Sequence, residues 1–253
     1  MAIPLKKPQE IEKLRTANRI VAKTLNYLAK TVKAGMTLKE VDIMGEKYIV
    51  DLGARPSFKG LYGFPGAICL SLNEVIIHGI PSDIVLKDGD ILGIDIGTEI
   101  DGWYGDAAIT MPIGKISKKD EELIACAKDS LYHAISIIKE GMRFKELSYE
   151  IEKFIVKRGY RPLVKFCGHG IGRKPHEEPE IPNYLENGTP KSGPKIKNGM
   201  VFCIEPMICQ KEDEPVILEN GWDVVSADGL RGSHYENTVA IINGKAEILS
   251  ISE

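Results

Sequence analysis

Disulfide scaffolds and zinc ribbons are the first classes to go. The chain of 253 residues has five cysteines, an odd number, scattered at Cys69, Cys126, Cys167, Cys203 and Cys209 with no CxxC pair. That usage fits a reducing compartment, so a cytoplasmic protein is expected. No apolar run approaches the roughly 18 residues needed to cross a membrane. The opening MAIPLKKPQE lacks the apolar core of a signal peptide. Charge of either sign is not in excess: 33 Lys and Arg face 36 Asp and Glu. Without a basic field, nucleic-acid specificity has no electrostatic support. Histidine is scarce, with five in all, and two of these fall in one short stretch, FCGHGIGRKPHEEPEIPNY (166–184).

The chain repeats itself. Residues 33–56, KAGMTLKEVDIMGEKYIVDLGARP, match residues 139–162, KEGMRFKELSYEIEKFIVKRGYRP, at 12 of 24 positions and a constant offset. KDGDILGID (87–95) pairs in the same way with KNGMVFCIE (197–205). One domain of two related halves is expected, about 1–115 and 116–253. Each half opens with a long amphipathic helix. Ile11, Leu14, Val21, Leu25 and Leu28 recur at helical spacing in the first, and Leu123, Ala127, Leu131, Ala134 and Ile138 in the second. Gly35 and Gly141 suit the first residue beyond each helix. A second helix follows in each half, the first opened by a capping box from Thr37 to Glu40. Strands are then expected at 67–77, 90–98 and 103–111, with 163–171, 200–209 and 233–249 as counterparts. ISKKDEE (116–122) reads as a solvated linker, and the proline- and glycine-rich 177–199 as a loop at the rim of a site.

Acids stand in the wrong places for a plain core. ILGIDIGTEIDGWYGDAAIT (91–110) reads as a hairpin. If its turn is centred between Ile100 and Asp101, Asp95 and Asp106 face each other; a bulge at Gly102 would shift this by one. Like charges directly opposite are destabilising, and a buried unpaired charge is costly. A cation between them removes both problems. MVFCIEPMI repeats the anomaly at Glu205, at the place the repeat pairs with Asp95, and SHYENTVAII does so at Glu236. His169 ends a short β-like run between glycines, which let another backbone or a ligand come close. Asp95, Asp106, His169, Glu205 and Glu236 form an oxygen-rich set whose four negative charges two divalent cations balance. Such a set suits manganese, iron(II) or cobalt, with zinc as a further candidate. Two ions about 3.5–4 Å apart can activate a shared water and polarise a carbonyl.

At these residues the sequence resembles the type I methionine aminopeptidases of bacteria. The motifs are NEVIIHGIP (73–81), IDIGTEIDGWYGD (94–106), CGHGIGRKPHEEP (167–179), FCIEPM (202–207) and YEN (235–237). The resemblance spans the whole chain. It implies an α+β, pseudo-twofold duplicated "pita-bread" fold, with an antiparallel sheet core and two pairs of helices outside. It implies removal of the initiator methionine from nascent polypeptide N-termini, with a small second residue preferred. The same five residues are implied as metal ligands, with Glu205 also as general base. His176 is implied at the scissile carbonyl and His78 near the leaving amide. A methionine pocket is implied at Phe58, Leu61, Phe64, Cys69, Pro175 and Trp222. Leu61 and Pro175 stand where bacterial relatives often carry aromatics, and Gly97 stands where a hydroxyl residue often supports the metals.

The intervals from His176 to Glu205 and on to Glu236 leave no room for the insertion of type II relatives. The chain begins Met-Ala, which makes it a candidate substrate of its own activity. A monomer and ribosome association, for timing, complete the expectation; no membrane is involved. Of the other histidines, His133 reads as structural. His234, two residues before Glu236, shares its strand face and reads as a neighbour of the ligands at most. Two rivals stay open: a proline-directed aminopeptidase of the same fold, and a non-catalytic binding protein that kept it.

Overall fold

The computed structural model describes residues 3–251. The Met1-Ala2 start lies outside them. Among the described residues are four α-helices, α1 (Pro8–Thr31), α2 (Leu38–Asp51), α3 (Lys118–Ile137) and α4 (Phe144–Lys157), and a short 3-10 turn at Leu61–Gly63. The first-half strands are β1 (Arg55–Pro56), β2 (Cys69–Leu72), β3 (Val75–Ile77), β4 (Ile91–Ile100) and β5 (Trp103–Pro112). In the second half β6 (Arg161–Pro162), β7 (Cys167–Gly170), β8 (Glu177–Pro182), β9 (Val201–Ile204) and β10 (Met207–Cys209) come first. They are followed by β11 (Pro215–Ile217), β12 (Val224–Ser226), β13 (Ser233–His234), β14 (Glu236–Ile242) and β15 (Lys245–Ile248). No described helix is long and apolar enough to cross a membrane, and all five cysteines are free thiols.

Every strand pairing is antiparallel. The largest sheet runs β1-β4-β5-β14-β9-β7-β8, with β2 beside β4 and β15 beside β14. Two small sheets, β13-β10-β6 and β11-β12-β3, flank it. The helices cover it in two pairs. α1 and α2 bury Val21, Leu28 and Val41 against Leu70, Leu92 and Ile94, and α1 also buries Leu14 in a cluster with Trp103 and Val201. α3 and α4 bury Leu123, Leu131, Leu147 and Ile151 against Phe202, Ile204 and Val239. This is the α+β architecture that the resemblance implies.

The repeat holds to the residue. α2 and α4 share the offset of the sequence match, as do β1 and β6. Arg55 and Pro56 pair with Glu99 and Thr98, and their counterparts Arg161 and Pro162 pair with Cys209 and Ile208. So β9 and β10 together are the counterpart of β4, interrupted at Glu205-Pro206. Proline has no N–H to give a ladder, and the strand changes sheets there.

Several boundaries differ from expectation. The 67–77 run splits at Asn73, which has φ +55°, into β2 and β3 in different sheets. The 163–171 run keeps only Cys167–Gly170, and 233–249 becomes three strands. Residues 118–122 are the first turn of α3, not linker: Ser117 caps it by accepting from the Asp120 N–H at 3.1 Å. Residues 177–182 form the edge strand β8, whereas the rest of 177–199 is loop. Gly35 and Gly141 do not adjoin their helices, which end at Thr31 and Ile137. With φ +93° and +88°, each takes the third position of a turn closed by Met36 N–H to Lys33 C=O, and Met142 N–H to Lys139 C=O. The capping box is present: Thr37 Oγ1 accepts from Glu40 N–H, and the Glu40 carboxylate accepts from Thr37 N–H at 2.7 Å.

Candidate active site

The β4–β5 turn sits one place later than expected. Ile100 pairs with Trp103, leaving Asp101 and Gly102 at φ +53° and +74°. Two positive φ values fit the two-residue hairpin turn that Asp-Gly favours. Asp95 therefore lies opposite Ala108, and Asp106 opposite Gly97. The two acids share a face diagonally instead of meeting head-on. They remain close enough to influence each other's ionisation.

Five adjacent strands each deliver one residue. In sheet order these are Asp95 on β4, Asp106 on β5, Glu236 at the start of β14, Glu205 just past β9, and His169 on β7. Buried polar side chains from elsewhere pin their backbones. Asp106 N–H donates to Asn18 Oδ1 of α1 at 3.2 Å, and Asp106 C=O accepts from Thr238 Oγ1 at 2.7 Å. Glu205 C=O accepts from Asn183 Nδ2 at 2.9 Å. Gly168 and Gly170 let neighbouring backbones in, because a Cβ on either would overlap the carbonyl of Cys203 or Glu178. His169 Nδ1 meets the Gly170 carbonyl at 3.0 Å. With the proton on Nδ1, the Nε2 lone pair faces inward, 3.4 Å from Glu205 Oε1.

The donors are under-partnered. Asp95 Oδ1, Asp106 Oδ1, Glu205 Oε1 and Glu236 Oε1 are buried with no hydrogen-bond partner. Burial lifts the Asp95 carboxyl to about 7 and those of Asp106, Glu205 and Glu236 well above the usual range, with mutual repulsion adding to it for the last three. Burial lowers His169 to about 3 and His78 to about 4, with the nearby His176 as a second cause. Orphaned carboxylate oxygens facing a neutral imidazole are what a divalent cation compensates. Donor atoms of Asp106, His169, Cys203 and Glu236 lie within 4.8 Å of one another, as do those of Glu205, His234 and Glu236. Cys203 is not needed as a donor, since its thiol lies 3.4 Å from Thr238 Oγ1 and burial holds it protonated.

These residues floor a cavity of about 730 Å³. His78 and His176 stand in its walls. His78 has φ +60°, the left-handed region a non-glycine residue seldom occupies. Gly79 beside it packs so closely on Leu70 that a Cβ would overlap that residue's carbonyl. The His176 ring is 4.5 Å from that of His169 and stacks at 6.1 Å on Tyr62. To one side, Phe58, Phe64 and Cys69 are buried with Leu61 and Trp222 packed against them, and the Phe64 and Trp222 rings meet edge to face at 5.1 Å. Pro175 is not among the cavity walls, although Lys174 and His176 on either side of it are. Gly97 lacks a hydroxyl, and a Cβ there would overlap Ser57 Oγ and the Phe58 ring. Ser57 fills the space a larger residue at 97 would take.

The model of metallopeptidase family M24 matches residues 12–243. The chain belongs to this family. The methionine aminopeptidase of Helicobacter pylori is 60% identical over 251 residues, covering 99% of both chains. The crystal structure of methionine aminopeptidase from Thermotoga maritima superposes with a TM-score of 0.95 at 37% identity, over 99% of this chain and 100% of that one. Prolidase from Pyrococcus furiosus superposes with a TM-score of 0.80 at 26% identity, but this chain covers only 66% of it. The likeness to these structures is a likeness of fold.

Tyr62 and Lys6 escaped the sequence reading, and His234 was read only as a neighbour of the ligands. His234 is only 3% exposed and lines the cavity. Its spacing from Glu236 was visible, but not that the chain changes sheets between them. Tyr62 is 78% exposed beside His176 with φ +51°, and nothing in its local pattern marks it. Lys6 pairs with Glu177 at 2.5 Å, both side chains mostly buried, in a contact spanning 171 residues.

Proposed function

We propose that this protein is a metal-dependent aminopeptidase that removes the N-terminal methionine from nascent polypeptides, preferring a small second residue. One observation carries it. Five adjacent strands each place one ligand-type side chain on the floor of a cavity whose side is an aromatic-walled apolar pocket. Its kinship with methionine aminopeptidases over the full chain supports the same reading.

Asp95, Asp106, His169, Glu205 and Glu236 would hold two divalent ions, drawn from manganese, iron(II), cobalt or zinc. When bound, these supply Lewis acidity and an anchor for the free α-amino group. Glu205 takes a proton from the attacking water at its unpartnered oxygen and later delivers it to the leaving amine. His176, at the mouth, donates a hydrogen bond to the developing oxyanion. His78 holds the leaving amide. Phe58, Leu61, Phe64, Cys69 and Trp222 take the methionine side chain by apolar contact and exclude water. We further propose that residues 1–253 act as one catalytic unit, a cytoplasmic monomer that meets its substrates at the ribosome.

The test is hydrolysis of Met-Ala-Ser by chelator-stripped protein, with manganese, iron(II), cobalt and zinc restored singly. Leu-Ala-Ser, Met-Leu-Ser and Ala-Pro-Ala run alongside. Methionine release from Met-Ala-Ser, restored by metal, is the expected result. Preference for Ala-Pro-Ala would instead favour the prolidase-like reading that the Pyrococcus furiosus superposition raises. Folded protein that holds two ions and turns over nothing would favour a binding protein.

A further inference from the structure

Ser57 carries a buried hydroxyl that the proposed mechanism does not use. The residue is 7% exposed, and its Oγ has no hydrogen-bond partner. β1 pairs with β4 at Arg55–Glu99 and Pro56–Thr98. One step further along the same register, Ser57 N–H donates to the Gly97 carbonyl at 3.0 Å. Gly97 in turn stands opposite Asp106 on β5. Ser57, Gly97 and Asp106 therefore form one row across three strands. Residues directly opposite each other in antiparallel strands project on the same face. Asp95, two residues before Gly97, projects on that face as well.

The missing side chain at 97 lets the hydroxyl reach along this row. A Cβ on Gly97 would lie 2.1 Å from Ser57 Oγ and 2.4 Å from Phe58 Cε1. Ser57 Oγ thus occupies, over the middle strand, the position a side chain at 97 would take. Asp106 is its next neighbour in the row. Opposed Cβ atoms on paired strands are about 4.5–5.5 Å apart, a span that a hydroxyl can bridge to a carboxylate directly or through one water. Asp95 and Asp106 each keep one buried carboxylate oxygen without a partner. Filling space does not call for a hydroxyl, because a buried O–H left unpaired is a net cost.

We infer that Ser57 is a positioning residue for the metal centre, its hydroxyl donating to the carboxylate pair of Asp95 and Asp106 directly or through one water. This rests on the reading of those acids as metal ligands. Ser57 is not among the cavity walls, although Phe58, Asp95 and Asp106 are, so it acts on the ligands and not on substrate. A carboxylate that gives a lone pair to a cation keeps others free, and a fixed donor to one of these holds its orientation. The backbone of Asp106 is already held by Asn18 and Thr238. Ser57 holds the side-chain end of the same ligand pair.

The experiment is calorimetric titration of the stripped full chain with cobalt(II), with the visible absorption of the loaded protein recorded. Ser57→Ala removes only the hydroxyl. It should weaken cobalt binding about 10–100-fold, alter the absorption of the loaded protein and reduce the gain in Tm on loading. Without metal its Tm should match or exceed that of the unaltered chain, because an unpaired O–H is lost. Two double variants separate the hydroxyl from the space it fills. Ser57→Gly with Gly97→Thr moves the hydroxyl one strand across and should regain binding. Ser57→Gly with Gly97→Val supplies the same shape without a hydroxyl and should not. If Ser57→Ala binds cobalt as tightly as the unaltered chain, or if the two double variants recover equally, the positioning role is overturned and the metalloenzyme reading stands. An unaltered chain that binds no metal overturns both.

Discussion

Glu205 Oε1 lies 3.4 Å from His169 Nε2, although one residue sits past the end of β9 and the other within β7. Gly168 makes that approach possible by leaving room for the Cys203 carbonyl. The pair places a potential base against a potential ligand at the cavity floor. Glu205→Gln keeps the volume and one oxygen but removes the proposed base. Turnover of Met-Ala-Ser should fall about 10²–10⁴-fold, with the fold intact by circular dichroism. Turnover within threefold of the unaltered enzyme would remove Glu205 from the proton-transfer role.

Metal removal should give stability an unusual pH dependence. The carboxyls of Asp95, Asp106, Glu205 and Glu236 are raised on folding, mainly by burial. The folded state therefore holds protons that the unfolded state has released, and stability falls as pH rises through the raised values. The lowered histidines, His169 and His234 near 3 and His78 near 4, act in the opposite sense below their ordinary value of 6.5. Above it they are neutral in both states and only the acids remain. Stripped protein should thus lose Tm over the interval above about pH 6.5, as the raised carboxyls ionise. Saturating manganese should abolish the slope, and Asp106→Asn should flatten it in stripped protein. Thermal melts at several pH values check all three. A stripped-protein Tm that rises over that interval would refute the argument.

Gly97 is held to glycine by Ser57 and Phe58, not by turn geometry, since it lies mid-strand opposite Asp106. Gly97→Thr should destabilise by about 1–3 kcal/mol through overpacking. Adding Ser57→Gly should recover part of that loss, whereas a distant control such as Ser136→Gly should not. Urea unfolding of the four proteins measures the coupling.

Lys6 and Glu177 form a mostly buried pair next to His176. Glu177 also accepts from the Arg173 N–H at 2.8 Å and the Lys174 N–H at 3.2 Å. The pair thus pins the loop that carries His176 to the segment ahead of α1. Lys6→Met leaves Glu177 without its cation and should cost about 3–5 kcal/mol of stability. It should also lower kcat for Met-Ala-Ser more than it raises KM, because the loop carries His176, the proposed oxyanion donor. Lys6→Arg should restore part of both. Equal kcat in all three proteins would make the pair purely structural.

Local chemistry explains what could be read in advance. Leu14, Val21 and Leu28 recur with the helical period, and each is fully buried. The duplicated 24-residue segment implied matching elements, and these appear at the same offset. Asp95, Asp106, Glu205 and Glu236 stood out because charge inside an apolar strand costs free energy unless something compensates it. The hairpin register was misjudged because two turn placements, one residue apart, fit the same alternation. Asp101-Gly102 is the turn pair whose backbone accepts two positive φ values.

What the sequence determined by itself is therefore periodic or anomalous along the chain: helices, duplication, and acids out of place. Only the tertiary structure decided which strands lie side by side. The β5-β14-β9-β7 order brings His169, Glu205 and Glu236 against Asp106. The break at Pro206 turns His234 toward Glu205, and a contact across 171 residues sets Lys6 beside Glu177. Such neighbours depend on burying both halves in one sheet. That is a property of the whole chain's packing, and no local window of residues contains it.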